Sequence, residues 1–184
     1  IPIAIDDARH YMRTCKKKYD IIFFDTFRAE TPPAYVITLE SLKDMRKNLN
    51  PGGAVMVNFY GFYSGSLGSG AGWMYKTFMG AEYATKILMT NLKNEKLSNL
   101  VFIASDKELD FSKTNYAEPG MPELNNLNNN FLDTSRMELA DAGILTDDRP
   151  LLEYLAIEPS IEWRNAYNDF FTKNFLKEDV GLFK

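Results

Sequence analysis

One cysteine and one histidine occur in 184 residues. Cys15 alone cannot close an internal disulfide, so a reducing compartment is the default, and the thiol is expected to pack as a small apolar group on a helix face. His10 alone excludes a multi-histidine metal centre and is left as an isolated candidate base, with a surface position expected. No apolar run reaches the length of a membrane span and no signal peptide opens the chain, which reads as a soluble, cytoplasmic protein. Basic residues cluster only at Lys16-Lys17-Lys18, and the net charge is −4. Nothing electrostatic therefore points to nucleic acid, because phosphate binding draws on clustered Lys and Arg. The three lysines read as the solvated end of a helix, where positive charge suits the dipole. Glycine collects at positions 61, 65, 68, 70 and 72, but the Lys-Ser/Thr ending of a P-loop is missing, so a flexible loop over the sheet edge is expected.

Apolar residues make up 45% of the chain. That is enough to bury a core, and residues 1–184 read as one domain. Ile1 to Ile5 is a candidate strand, and Asp6 or Asp7 a candidate N-cap for a helix carrying Ala8, Tyr11, Met12 and Cys15. Tyr19 to Phe24 is too short for a helix and has the composition of a strand buried on both faces. Two prolines, Pro32 and Pro33, exclude a helix through the loop that follows. Thr38 caps a predicted helix with Leu39, Leu42, Met45 and Leu49, which Asn50-Pro51-Gly52-Gly53 stops. Ala54 to Tyr60 is the next predicted strand. This strand, helix, turn, strand order is a βαβ unit and implies a parallel sheet. Further along, a helix is predicted from Trp73 to about Thr90, a strand at Asn99 to Ala104, an Asn-rich surface excursion over Met121 to Asn130, and a last strand at Leu151 to Ile157. The tail from Ile161 to Leu176 carries Trp163, Tyr167, Phe170, Phe171 and Phe175, a stripe of core or oligomer-contact type.

In a parallel α/β sheet, ligands lie at the carboxyl ends of the strands. The candidates there are Asp6 and Asp7, Asp25, and Asn58 with Tyr60. A carboxylate after one strand can accept from an adenine amino group, and one after the next can hold or deprotonate an amine. Asp7 reads equally as a helix cap, whereas Asp25, following a buried-type strand, reads as functional. Arg28 and Glu30 follow Asp25 in the same loop, within reach of a substrate or simply solvated. Asp147-Asp148-Arg149-Pro150 reads as an acidic turn pinned by its own Arg149.

At Asp7-Ala8-Arg9, Tyr19 to Asp25, Asn50-Pro51-Gly52-Gly53 and Thr146 to Pro150, in that order along most of the chain, the sequence resembles the spermidine synthase-like branch of the Rossmann-type methyltransferase superfamily. The resemblance implies an α/β fold with a mostly parallel sheet, helices on both faces and an antiparallel final strand, lacking the first strands. It also implies transfer of an aminopropyl group from decarboxylated S-adenosylmethionine to an amine such as putrescine, without a metal. Asp7 and Ala8 match the pair beside the adenine, and Asp25 the acid that holds or deprotonates the attacking amine. Three features depart from the family. The glycine-rich turn that binds the donor's methionine part has no counterpart, because the match begins at about the third strand. Arg28 stands where the family's second Asp contacts the polyamine, which suggests a less cationic acceptor. The Tyr-Pro-Ser-Gly type loop is not found after Tyr83.

The expectation is the carboxyl-terminal part of a transferase using S-adenosylmethionine or its decarboxylated form, with Arg28, Asn58 and Tyr60 on the acceptor side. Its partners would be a small-molecule amine, the missing amino-terminal half of the domain and a second copy burying the free edge and aromatic tail. The parent protein could carry a membrane anchor, as some of this branch do. The alternative expectation is a catalytically silent Rossmann-like module for assembly or regulation.

Overall fold

A computed structural model describes residues 3–26, 33–90, 96–111 and 127–175. The elements are α1 (Ala8–Thr14), β1 (Tyr19–Phe24), α2 (Leu39–Lys47), β2 (Leu49–Phe62), α3 (Ser69–Gly80), β3 (Ala84–Met89), β4 (Leu97–Ser105), α4 (Leu152–Leu155) and α5 (Ile157–Phe175). The strands form one sheet in the order β1-β2-β4-β3. β1 pairs parallel to β2, and β4 runs antiparallel to both β2 and β3. Three strands therefore share a direction and the last strand in the chain opposes them. This is the α/β architecture expected, but the antiparallel strand is Leu97–Ser105 and not residues 151–157.

Alternate positions decide the two faces of the sheet. Ile22, Phe24, Val55, Val57, Phe59, Phe102 and Ala104 are buried in one cluster with Leu42 and Met45 of α2 and Met74 and Phe78 of α3. Phe78 stacks on Phe102 at 5.8 Å between ring centroids. On the opposite face of β1, Ile21 and Phe23 remain 59% and 54% exposed. That face and the outer edge of β1 are uncovered among the described residues, so β1 is not the doubly buried strand its apolar run suggested.

Several expectations change. Ile3 to Ile5 form no strand, and Ile3 and Ile5 are almost fully exposed. Asn50 to Gly53 does not end a helix before a separate strand. It is a bulge inside β2, where the register jumps from Tyr19↔Leu49 to Ile21↔Ala54. Gly52 there has φ +81°, a conformation that favours glycine. The expected glycine-rich loop shrinks to residues 63–68, which hold Gly65 and Gly68, since β2 runs through Gly61 and α3, with Gly70 and Gly72, begins at Ser69. The helix from Trp73 stops at Gly80, and Glu82, with φ 62°, turns the chain into β3.

Residues 151–157 are helical because their buried positions fall at helical spacing. Leu152 and Ala156 face inward while Glu153, Tyr154 and Ile157 are exposed. Pro159 is compatible with α5 because it lies in the first turn, where the N–H has no intrahelical partner.

Candidate functional site

β1 ends at Phe24, opposite Val57, while β2 continues five residues further, held on its other side by β4. The chain leaves the sheet at Asp25, so no strand among the described residues pairs with the β1 side of residues 58–62, at the carboxyl end of two parallel strands. Asn58 and Tyr60 thus lie inside β2 rather than beyond it. Asn58 Nδ2 donates to Asp25 Oδ1 at 2.8 Å. The carboxylate is an acceptor and fixes the amide orientation: Nδ2 must face Asp25, so Oδ1 faces away. Asn58 Oδ1 is buried and has no hydrogen-bond partner among the described residues. A buried acceptor left unpaired costs about 1–3 kcal/mol, so this oxygen, on the side of the amide away from Asp25, would gain from a donor.

Tyr60 lies two residues on, on the same face and roughly 7 Å along the strand. Its hydroxyl accepts from Trp163 Nε1 at 2.9 Å, and the rings meet edge to face at 5.8 Å. An apolar cleft at this end of β2 is lined by Phe59, Phe62, Leu67, Leu155 and Trp163 with Tyr60. Trp163 was legible only as part of the aromatic tail, since 103 residues separate it from Tyr60.

Asp7 and Ala8 stand apart from this pair, at the start of α1. Asp7 is the N-cap: Oδ1 accepts from the Arg9 and His10 amides at 2.9 and 3.0 Å, and Oδ2 accepts from the Tyr35 hydroxyl at 3.1 Å. The His10 amide bond, with those of Tyr35 and Arg9, outweighs desolvation and holds the carboxyl below its usual range. The cap is therefore a charged, exposed carboxylate with Ala8 half-buried beside it. No hydrogen bond joins Asp7 to Asp25. His10 is exposed and pairs with Asp6, and Lys16 to Lys18 are exposed. Arg28 and Glu30 lie outside the described residues. Among the described residues no group of three or more His, Cys, Asp and Glu is placed to hold a metal ion, and no helix is long and apolar enough to cross a membrane.

No family model matches the chain. Over 58 residues, 32% of the chain and 13% of the relative, it is 34% identical to a protein of Bifidobacterium longum (strain NCC 2705) described as a probable polyamine aminopropyl transferase. Its fold matches the crystal structure of a probable spermidine synthase from Corynebacterium glutamicum, with a TM-score of 0.51 and 21% identity, over 85% of this chain and 51% of that one. Its fold is spermidine synthase-like. A weaker likeness, TM-score 0.41 and 20% identity over 82% and 42% of the two chains, is to MNMC2 from Aquifex aeolicus and carries no argument. The chain spans about half the length of the solved relative and a smaller part of the curated one.

Arg149 closes the Thr146 to Pro150 turn through its backbone, its amide donating to the Thr146 carbonyl at 3.0 Å, while its guanidinium lies over the Trp73 ring at 5.1 Å. The turn is anchored to the rest of the fold by Arg9, which grips both Asp147 oxygens at 2.7 Å and also donates to the Tyr35 carbonyl at 2.8 Å. Thr38 Oγ1 donates to Asp147 at 2.6 Å, and the Asp147 amide donates to Glu40. The Arg9 hydrogen bonds, then that of Thr38, keep the Asp147 carboxyl below its usual range. This node fixes the helix that begins with Asp7 and Ala8 against α2 and the acidic turn. Arg9 was part of the quoted motif, but nothing in its sequence neighbourhood indicated a partner 138 residues away.

Proposed function

We propose that the protein to which this spermidine synthase-like chain belongs alkylates an amine with S-adenosylmethionine or its decarboxylated form, Asp25 and Asn58 receiving the acceptor nitrogen. The observation that carries the reading is the unpaired, buried Asn58 Oδ1 beside the Asp25 carboxylate. Two acceptors with opposite orientations to fill suit a nitrogen bearing several N–H donors. In the transfer, the neutral amine's lone pair forms a bond to the carbon next to the sulfonium and the carbon–sulfur bond breaks. Its electrons neutralise the sulfur as the thioether nucleoside leaves, and the new ammonium gives its proton to Asp25. Holding the nitrogen in line is what such a displacement needs.

Asp7 and Ala8 take the nucleoside in this reading, as the resemblance implies, and the polyamine chemistry in the relatives' names supports an amine as acceptor. Tyr60 is assigned to the acceptor as well in this reading, and so, from the resemblance alone, is Arg28. Strands supplied by a companion segment on the free edge of β1 would carry the turn for the donor's methionine part.

The test is calorimetric titration of methylthioadenosine into the chain, then of putrescine and of a monoamine into the saturated complex. Saturable nucleoside binding that Asp7→Asn weakens, with amine binding that Asp25→Asn abolishes, is the expected result. Asn keeps a capping oxygen, so α1 stays formed. Nucleoside binding insensitive to Asp7 together with amine binding insensitive to Asp25 would sink the reading and favour a silent module.

A further inference from the structure

The apolar cleft at the end of β2 adjoins the pair formed by Asp25 and Asn58, because Tyr60 belongs to both places. It lines the cleft, and it lies on the same face of β2 as Asn58, two residues along the strand. Two features of that end bear on what it can bind. The first is the Tyr60 hydroxyl, which accepts from Trp163 Nε1 at 2.9 Å. An indole N–H only donates, so the direction of this bond is fixed. The phenol oxygen has its acceptor position taken and is left with its own O–H to offer. The second feature is the lining. None of the described residues around the cleft is charged, and beyond Tyr60 and Trp163 only Ser160 has a polar side chain. The cleft is also braced. The Tyr60 and Trp163 rings meet edge to face at 5.8 Å, and the Phe59 ring lies over Gly61, where a Cβ would come within 2.7 Å of it.

Taking Asp25 and Asn58 as the seat of the acceptor nitrogen, the reading on which this rests, we infer that the acceptor is a monoamine whose uncharged, apolar chain lies in this cleft, with Trp163 determining that specificity. A diamine would bring a second ammonium, which carries three N–H donors and no acceptor. At the Tyr60 end it would meet an O–H, an N–H already engaged, and apolar carbon. A charge left unpaired in such surroundings is strongly disfavoured. A methyl group in the same place leaves no polar group unpaired and gains from each carbon removed from water. The acidic residues at the nitrogen would serve either acceptor, so the choice between them falls to the cleft, and within it to the donor that occupies Tyr60.

The test compares n-pentylamine with putrescine, which differ only in a methyl group or an ammonium at the far end, by calorimetric titration into the intact protein saturated with methylthioadenosine. n-Pentylamine should bind at least ~10-fold more tightly, and Asp25→Asn should abolish the binding of both. Leu67→Glu places a carboxylate in the cleft wall and should shift the preference at least ~10-fold toward putrescine. Trp163→Phe keeps an aromatic wall but frees the Tyr60 oxygen to accept, and should narrow the preference. If Leu67→Glu loses structure by far-UV circular dichroism, Trp163→Phe gives the comparison. Putrescine bound as tightly as n-pentylamine, with both lost in Asp25→Asn, overturns the inference and leaves the assignment of Asp25 standing. A preference for n-pentylamine that neither cleft variant changes overturns it as well, since the selectivity would then arise elsewhere. Amine binding that is absent, or indifferent to Asp25→Asn, removes the assignment of Asp25 and the inference together.

Discussion

Replacing Arg9 with alanine should cost the fold roughly 2–3 kcal/mol. Arg9 is only 8% exposed, and its guanidinium makes two 2.7 Å bonds to Asp147 and one of 2.8 Å to the Tyr35 carbonyl. Removing one partner from a buried ion pair costs ~3–5 kcal/mol, because the other charge is left uncompensated. Here the Asp147 side chain is 39% exposed and keeps its bond from Thr38, so water takes over part of the loss and the lower figure follows. For a chain of this length the change corresponds to a melting temperature lower by about 5–10 °C. Urea unfolding should show a shifted midpoint with unchanged slope, since the buried surface is the same.

The pH dependence separates charge from packing. The hydrogen bonds from Arg9 hold the folded-state pKa of Asp147 below the ordinary carboxyl value of 3.8. Its contribution is therefore complete above that value and is lost as pH falls through the lower, folded one. The gap between wild type and Arg9→Ala should narrow below pH ~3.8 as Asp147 is neutralised in both. Arg9→Met keeps the apolar stem and should lose nearly as much at neutral pH. If Arg9→Met is as stable as wild type, or if the Arg9→Ala gap persists undiminished in acid, the stem's packing and not the ion pair holds α1, and the reasoning fails.

Gly72→Ala should lower the urea midpoint by the equivalent of ~1–3 kcal/mol, because its Cβ would overlap the Glu138 carbonyl oxygen. In an open helix the same change would stabilise by about 1 kcal/mol, so a raised midpoint would mean that residues 138–143 do not pack on α3. Tyr83 is almost fully buried, and burial pushes its phenol up to about 12 from 10.0. The stability tied to its neutral form is complete below pH 10 and lost as pH rises through about 12. Tyr83→Phe should lose about 1 kcal/mol at neutral pH with the bond to the Leu42 carbonyl, and should fall less steeply in alkali. A wild-type phenolate spectrum in which every tyrosine titrates near pH 10 would contradict this placement.

What could be read along the chain was whatever its immediate neighbours decide. The prolines after Asp25 and the apolar run before it marked β1, and Thr38 marked the start of α2. Where neighbours were ambiguous the reading went wrong. Ala84–Met89 followed a helix without a Pro or a Gly-rich break, because Gly80 ends the helix and a non-glycine residue, Glu82, makes the left-handed turn. Residues 151–157 form a short apolar run that fits strand and helix alike, and packing of Leu152 and Ala156 decided for helix.

The same division runs through the site and has a consequence. Asp25 and Asn58 could be proposed from sequence because strand ends and register bring them together, and they are joined at 2.8 Å. What holds the two ends of the site could not, since Arg9 reaches Asp147 across 138 residues and Trp163 reaches Tyr60 across 103. Each is one side chain meeting another from a distant element, which no local pattern encodes. A relative could therefore keep Asp7, Ala8 and Asp25 and still lose the arrangement by changing Arg9 or Trp163. In such a chain the motif would be intact while α1 or the Tyr60 end of the site stood out of place. Whether the chemistry survives in a given member is better judged from these two distant pairs than from the acidic residues alone.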